Sequence, residues 1–173
     1  MLIARVIPCL LLDNNSLVKT TNFKNSSYIG DPVNTARIFN ELEVDELSLL
    51  DITATNNNKS PNFDLISQLA NECFMPLSYG GGINKFEDAK KIFKIGIEKI
   101  IINTAAFENP DLITQLAEYF GNQAVIISID IRKNIFGKYH VYSHSGNKNQ
   151  KIDPILWAQK VEELGAGEIL LTS

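Results

Sequence analysis

Asp130 ends the apolar run VIISID, and a carboxylate at the tip of such a run has to be either used or paired, because burying it otherwise is costly. In use, it exchanges protons with a substrate above a strand end. The plainer alternative is a structural carboxylate that caps loop N–H groups. A second candidate is SYGGG, residues 78–82. Gly81 and Gly82 leave backbone N–H groups open to an anion, most simply a phosphate, beside the start of the next helix. A tight turn that needs its glycines explains the same residues equally well. Asn103-Thr104 would add side-chain donors to that anion. A third group has a different character. Arg5, Glu46, Lys99 and Glu168 each fall at or near the start of an apolar run. Charges of alternating sign at strand starts would converge beneath the sheet, and isolated charges buried there would be strongly destabilising, so pairing is nearly forced. Such a ring is either a plug or a gate for a small polar species.

Alternating strands and helices have to position these residues. Strand-length apolar runs cover 2–12, 46–52, 76–80, 98–103, 124–130 and 168–172, apolar on both faces as parallel strands covered on both sides are. Asp31-Pro32, Asn109-Pro110 and Asp153-Pro154 each place a cap before a proline at the first helical position. Asn84 with Glu87 is close to a capping box. Helices are expected to end near Gly96, Gly121 and Gly165. Two connections are long. Residues 13–30 read as a polar segment, and residues 131–152 as a loop with a small hairpin, KNIFGKYHVYSHSG, turning at Gly137. Long loops after strand C-termini are where a barrel of βα units holds its substrates.

The pattern repeats. Residues 31–51, DPVNTARIFNELEVDELSLLD, align without a gap to 153–173, DPILWAQKVEELGAGEILLTS, with 7 identities in 21 positions. They include the caps Asp31 and Asp153 and the strand starts Glu46 and Glu168. A duplicated βα unit of this period points to an α/β fold, a (βα)8 TIM barrel made of two half-barrels. Six strands would leave two raw edges, so residues 1–173 are expected to be one barrel domain truncated after its sixth strand, with about two βα units missing.

Bulk properties narrow the function. A chain of 173 residues with 45% apolar side chains can bury one good core. A net charge of −4 with no basic stripe argues against nucleic acid. No apolar run approaches a membrane span of ~20 residues, and MLIARVIPCLLL reads as a strand rather than a signal segment. Cys9 and Cys73 make no metal spacing and read as free, buried thiols of a reducing cytosol. No metal or cofactor is called for.

KTTNF, GDPV, DELSLLDITA, GGGI, INTAA, ENPDLITQLAEYFG and GAGEILLTS together resemble the cyclase subunit of imidazole glycerol phosphate synthase, over essentially the whole chain. The resemblance implies a cytoplasmic lyase of histidine biosynthesis. It would form imidazole glycerol phosphate and aminoimidazole carboxamide ribonucleotide with ammonia from a glutaminase partner, a heterodimer joined at the N-terminal face of the barrel. By the same resemblance, Arg5, Glu46, Lys99 and Glu168 match an ammonia gate. Gly82, Asn103 and Thr104 match a phosphate site, and Lys19, Asp51 and Ser145 other parts of the substrate-binding face. Asp130 matches one of two catalytic aspartates. The other is replaced: where the family reads Cys-Leu-Asp, this chain has Cys9-Leu10-Leu11. Asp13 has the matching alternation but is expected to lie past the strand end. RVIPCLLL with SYGGG is similar to a branch of the family linked to surface-polysaccharide sugar amidation. That branch implies a cyclase-impaired barrel that activates a glutaminase and passes ammonia to a sugar-amidating ligase.

Overall fold

The computed structural model describes residues 4–21, 24–134 and 137–173. The first residues of the 2–12 run, Asn22-Phe23 of KTTNF and Ile135-Phe136 of the hairpin lie outside the described residues. The chain opens with β1 (Cys9–Asp13), turns back through β2 (Ser16–Thr21) and β3 (Lys24–Gly30), and enters α1 (Pro32–Glu41). There follow β4 (Leu47–Asp51), α2 (Phe63–Glu72), β5 (Leu77–Gly80), α3 (Phe86–Ile95), β6 (Lys99–Ile102), a short α4 (Thr104–Glu108) and α5 (Asp111–Phe120). The remainder is β7 (Val125–Lys133), β8 (Tyr139–Ser143), β9 (Lys148–Asn149), α6 (Pro154–Glu163) and β10 (Glu168–Thr172).

Strands β1, β4, β5, β6, β7 and β10 pair in that order, all parallel. Antiparallel ribbons extend from β1 (β2 and β3) and from β7 (β8 and β9). Among the described residues β10 pairs only with β7 and does not meet β1, so the six parallel strands do not close into a barrel. The outer face of β10 is correspondingly bare, with Ile169 and Leu171 exposed.

Alternation along each strand separates two environments. Leu47, Leu49, Leu77, Tyr79, Ile100, Ile102, Val125, Ile127 and Ile129 turn outward and are buried with Ala36, Ile66, Leu69, Ile92, Leu112, Leu116 and Val161 of the helices. Trp157 of α6 joins them by stacking on Phe107, ring centroids 4.2 Å apart. The residues between these point into the lumen.

Register fixes the equivalence of the halves. Leu11 is opposite Leu50, and Asp130 is opposite Thr172. Leu50 and Thr172 are partners in the sequence repeat, so Leu11 and Asp130 occupy corresponding places.

Several boundaries differ from expectation. The first strand starts only at Cys9; Pro8 has no N–H for a ladder and contributes just its carbonyl, to Ser48 N at 2.9 Å. The described residues of 13–30 form a paired ribbon of β2 and β3, closed onto β1 by Asp13 opposite Ser16 and turned at Asn14, whose φ is +54°. Asp13 therefore belongs to the strand rather than lying beyond it. Asp31 and Asp153 cap their helices as read, accepting from Asn34 N and from Ile155 N and Leu156 N. Asn109 does not cap α5; α4 occupies the preceding turn, and Asn109 ends it by donating its N–H to Ala105 O at 2.8 Å. Asn84 caps nothing either, because α3 begins two residues later behind Lys85 without a side-chain cap. Gly96 ends α3 in the left-handed region at φ +114°, as its position required.

Candidate functional site

The four charged residues at strand starts come together. Lys99 Nζ lies 2.9 Å from Glu46 Oε2 and 2.7 Å from Glu168 Oε1, and Arg5 Nη1 lies 3.7 Å from Glu46 Oε2. Glu46 is 1% exposed, so its charge depends on these cations. Burial pulls the Lys99 ammonium down, but the hydrogen bonds and charges of Glu168 and Glu46 outweigh it and hold its pKa above the ordinary lysine value. This linked set forms the floor of the lumen.

Above the floor the lumen is first polar, then apolar. Cys9, Ser48 and Ser78 are neighbours across β1, β4 and β5, and the same register line reaches Lys99. Ser48 Oγ and Ser78 Oγ are 2.7 Å apart and buried. The next line runs Leu11, Leu50, Gly80, Ile101. A Cβ on Gly80 would come within 2.9 Å of both Leu50 and Ile101, so close packing alone demands glycine there. Cys9 is free and exposed rather than buried, because its side chain borders the cavity above; Cys73 is free and half-buried.

The strand C-termini surround a cavity of about 1070 Å³. Asp130 stands in its wall, 8% exposed. Its Oδ1 accepts hydrogen bonds from Thr172 Oγ1 and, at 3.4 Å, from Ser128 Oγ. Burial pushes this carboxyl above the usual aspartate range, against the opposing pull of Thr172, Ser128, the Arg132 charge and Asn103. Such a group is suited to taking and returning protons.

Other expected residues fare differently. Asp51 lines the cavity, but its Oδ1 holds the following loop, accepting from Thr53 N at 2.9 Å, Thr53 Oγ1 at 3.0 Å and Ala54 N at 2.9 Å. Gly81 and Gly82 also line it, at φ +124° and +70°. A Cβ on Gly81 would meet the Asp51 carbonyl, and one on Gly82 the Lys59 carbonyl at 2.6 Å, so the turn itself requires both glycines. Asn103 Nδ2 donates to Ser128 O at 3.1 Å, and Thr104 Oγ1 accepts from His144 N at 3.0 Å. Ser145 borders the cavity with its hydroxyl on Ile52 O at 3.0 Å. Lys19 is not brought to this wall; it is exposed on β2, whereas its neighbour Thr20 lines the cavity.

Sequence reading sets Asp13 aside as lying past the strand end and overlooks Lys59, Glu108, Arg132 and His144; all five line the cavity. Alternation pointed to Asp13 and to Arg132, two residues beyond Asp130 on the same face. Lys59 reaches the mouth through Asn14 Oδ1 at 3.0 Å, a contact over 45 residues that no local pattern announces.

Comparison with known proteins agrees with the geometry. The family described as histidine biosynthesis protein matches residues 5–173. A provisionally named imidazole glycerol phosphate synthase subunit, hisF2 of Pseudomonas aeruginosa, is 54% identical over 169 residues, 98% of this chain and 67% of that one. A provisionally named subunit HisF of Leptospira interrogans is 51% identical, covering 100% of this chain and 68% of that one. Imidazole glycerol phosphate synthase subunit HisF of Streptomyces coelicolor is 44% identical, covering 99% and 68%. The chain thus spans about two thirds of the length of these relatives. With a floor of paired charges under parallel strands and a polar cavity at their C-termini, it belongs to the HisF-type family of imidazole glycerol phosphate synthase cyclase subunits.

Proposed function

We propose that this chain is the ammonia-using barrel subunit of a glutamine-dependent synthase. A glutaminase docks beneath the strand N-termini, and ammonia passes the floor charges and the lumen to an acceptor at the mouth. The observation that carries this reading is the linked set Arg5–Glu46–Lys99–Glu168, whose Lys99 stands beside Ser78 in register. The docking face is supported by exposed Val6, Leu42 and Phe74, which all stand at that end; Phe74 N is held on Asn40 Oδ1 at 2.8 Å. Further βα units cover the open edge at β10 in the working protein; the greater length of the relatives supports this.

At the mouth, Asp130 takes a proton from the nitrogen as the new C–N bond forms and returns one to the departing group. The relatives' name gives imidazole glycerol phosphate as the product, in keeping with the histidine-biosynthesis family, and the sequence resemblance implies aminoimidazole carboxamide ribonucleotide as the second. The Gly82, Asn103 and Thr104 wall holds a phosphate of the acceptor.

One observation favours a second reading. Leu11 fills the place that corresponds to Asp130, opposite apolar Leu50. A wall that offers one acid where two are needed is poorly equipped for ring closure, since losing a general acid or base costs roughly 10²–10⁴-fold. The two provisionally named relatives are also more similar (54% and 51%) than the Streptomyces one (44%), as a diverged subgroup would be. On this reading the barrel activates the glutaminase and hands ammonia to a separate sugar-amidating ligase.

Both readings require that adding this protein stimulate glutamine hydrolysis by its partner; no stimulation overturns both. An ammonia-dependent ring-closure assay then separates them. Turnover by the wild type supports the synthase, whereas turnover gained only with Leu11→Asp supports the disarmed conduit.

A further inference from the structure

The turn after β8 carries a hydrogen-bond relay that the proposed chemistry does not use. Gln150 Nε2 donates to Ser143 Oγ at 2.6 Å, and Ser143 Oγ lies 3.0 Å from His144 Nδ1. Nε2 is the nitrogen that faces the Glu108 carboxylate, which can only accept, so the neutral ring carries its proton there and Nδ1 accepts from the Ser143 hydroxyl. Ser143 is fully buried, so this side of the imidazole is fixed. The other side is held loosely: Nε2 lies 3.4 Å from Glu108 Oε1, long for a charge-assisted bond, and Glu108 is half exposed. Both His144 and Glu108 line the cavity.

The backbone around the ring is equally committed. His144, Ser145 and Gly146 are consecutive left-handed residues at φ +53°, +53° and +78°. His144 N is tied to Thr104 Oγ1, and Ser145 Oγ reaches Ile52 O across the mouth. Arg132 brings a cationic group to this turn, its guanidinium packed where a Cβ of Gly146 would stand. The charged groups at this turn are thus Glu108 from α4, which faces the ring, and Arg132 from β7, which packs at Gly146. A fixed donor, tightly set on its buried side and weakly satisfied on its open side, is arranged for exchange of partners.

We infer that His144 is a ligand-binding residue, which gives up Glu108 to donate its Nε2–H to a phosphate group at the mouth. With the Arg132 guanidinium of β7 set at Gly146 of the same turn, a phosphate there meets cationic and N–H donors together. This rests on the reading that the cavity takes a phosphorylated acceptor, but its test is independent of ammonia use.

The probe is inorganic phosphate, titrated into the protein and followed by long-range proton–nitrogen NMR of the imidazoles. Only two histidines, His140 and His144, need to be told apart. Before phosphate, His144 should show the Nε2–H form, and Ser143→Ala should mix the tautomers. Phosphate should shift His144 Nε2 and leave His140 still. His144→Phe should weaken phosphate binding about ten- to a hundredfold, and His144→Gln, which keeps an N–H donor, should restore most of it. Glu108→Gln should tighten binding several-fold by removing the competing charge, a gain that a purely structural pair would not give. An immobile His144 signal at saturating phosphate, or weaker binding in Glu108→Gln, overturns the inference. A failed ammonia assay with these results intact would remove only the proposed function.

Discussion

Glu46 and Asp130 are both buried carboxylates facing the same lumen, one at its floor and one at its mouth. Glu46 is answered by two full cations, Lys99 at 2.9 Å and Arg5 at 3.7 Å. Asp130 is answered by hydroxyls, those of Thr172 and Ser128, with Arg132 contributing only as a charge that lowers its pKa. The floor carboxylate is thereby paired with full cations, whereas the mouth carboxyl sits above its ordinary range with burial as the largest cause. Equal burial with unequal compensation separates a structural charge from one that can change its state.

The largest effect should come at the mouth. Under the synthase reading, Asp130→Asn should lower ammonia-dependent turnover by roughly 10²–10⁴-fold without loss of the fold. Its stability should even benefit. Because the folded-state pKa is raised, the native protein binds more protons than the unfolded chain between the unfolded value, about 3.9, and the folded one. Wild-type stability therefore falls across that window as pH rises, and ionised Asp130 is a net cost above it. Asp130→Asn should lack this slope, so the difference between the two unfolding curves should grow from about pH 4 upward and then level off. Parallel curves would mean that the hydroxyls and Arg132 fully offset the burial of Asp130.

At the floor the expectation is opposite. Lys99→Met leaves Glu46 buried with only Arg5 near it and should cost about 3–5 kcal/mol in denaturant unfolding. Replacing both Lys99 and Glu46 by methionine should recover most of that loss, since the uncompensated charge goes with its partner. A cost below about 1 kcal/mol for Lys99→Met would place the floor among ordinary surface ion pairs. Gly81→Ala should cost less, about 1–3 kcal/mol, from its φ of +124° and the clash with the Asp51 carbonyl.

The floor was more legible in the sequence than the mouth. Charges at strand starts inside apolar runs have few ways to be buried, so Arg5, Glu46, Lys99 and Glu168 could be placed together from position alone. β10 was read at its true limits, and Asp31 and Asp153 announced their helices. The mouth is built from loops whose conformation local pattern does not determine. The paired ribbon of β2 and β3 looked like a polar segment because its strands alternate weakly. Lys19 was assigned to the site, yet strand direction carries it outward and Thr20 inward. Asn109 looked like a cap because α4, only five residues long, carries no periodic signal of its own. His144 acquires its place through Ser143, Gln150 and Glu108, contacts that depend on the fold of the whole rim.

The smallest change tests the contrast most directly. Thr172→Val keeps the shape of the side chain beside Asp130 but removes the hydroxyl that donates to Oδ1. Loss of one such bond should cost about 1 kcal/mol, more if the carboxylate is ionised when it is lost. Since that hydroxyl lowers the Asp130 pKa against burial, its removal should move the value further up. Any pH limb of ammonia use that reports Asp130 should then shift to higher pH, with the plateau reached later. Valine at the floor end of the same strand, Glu168→Val, should leave that limb where it is, because Glu168 binds Lys99 and not Asp130. If both variants moved the limb alike, floor and mouth would be coupled, and the division between a paired charge and a working one would not hold.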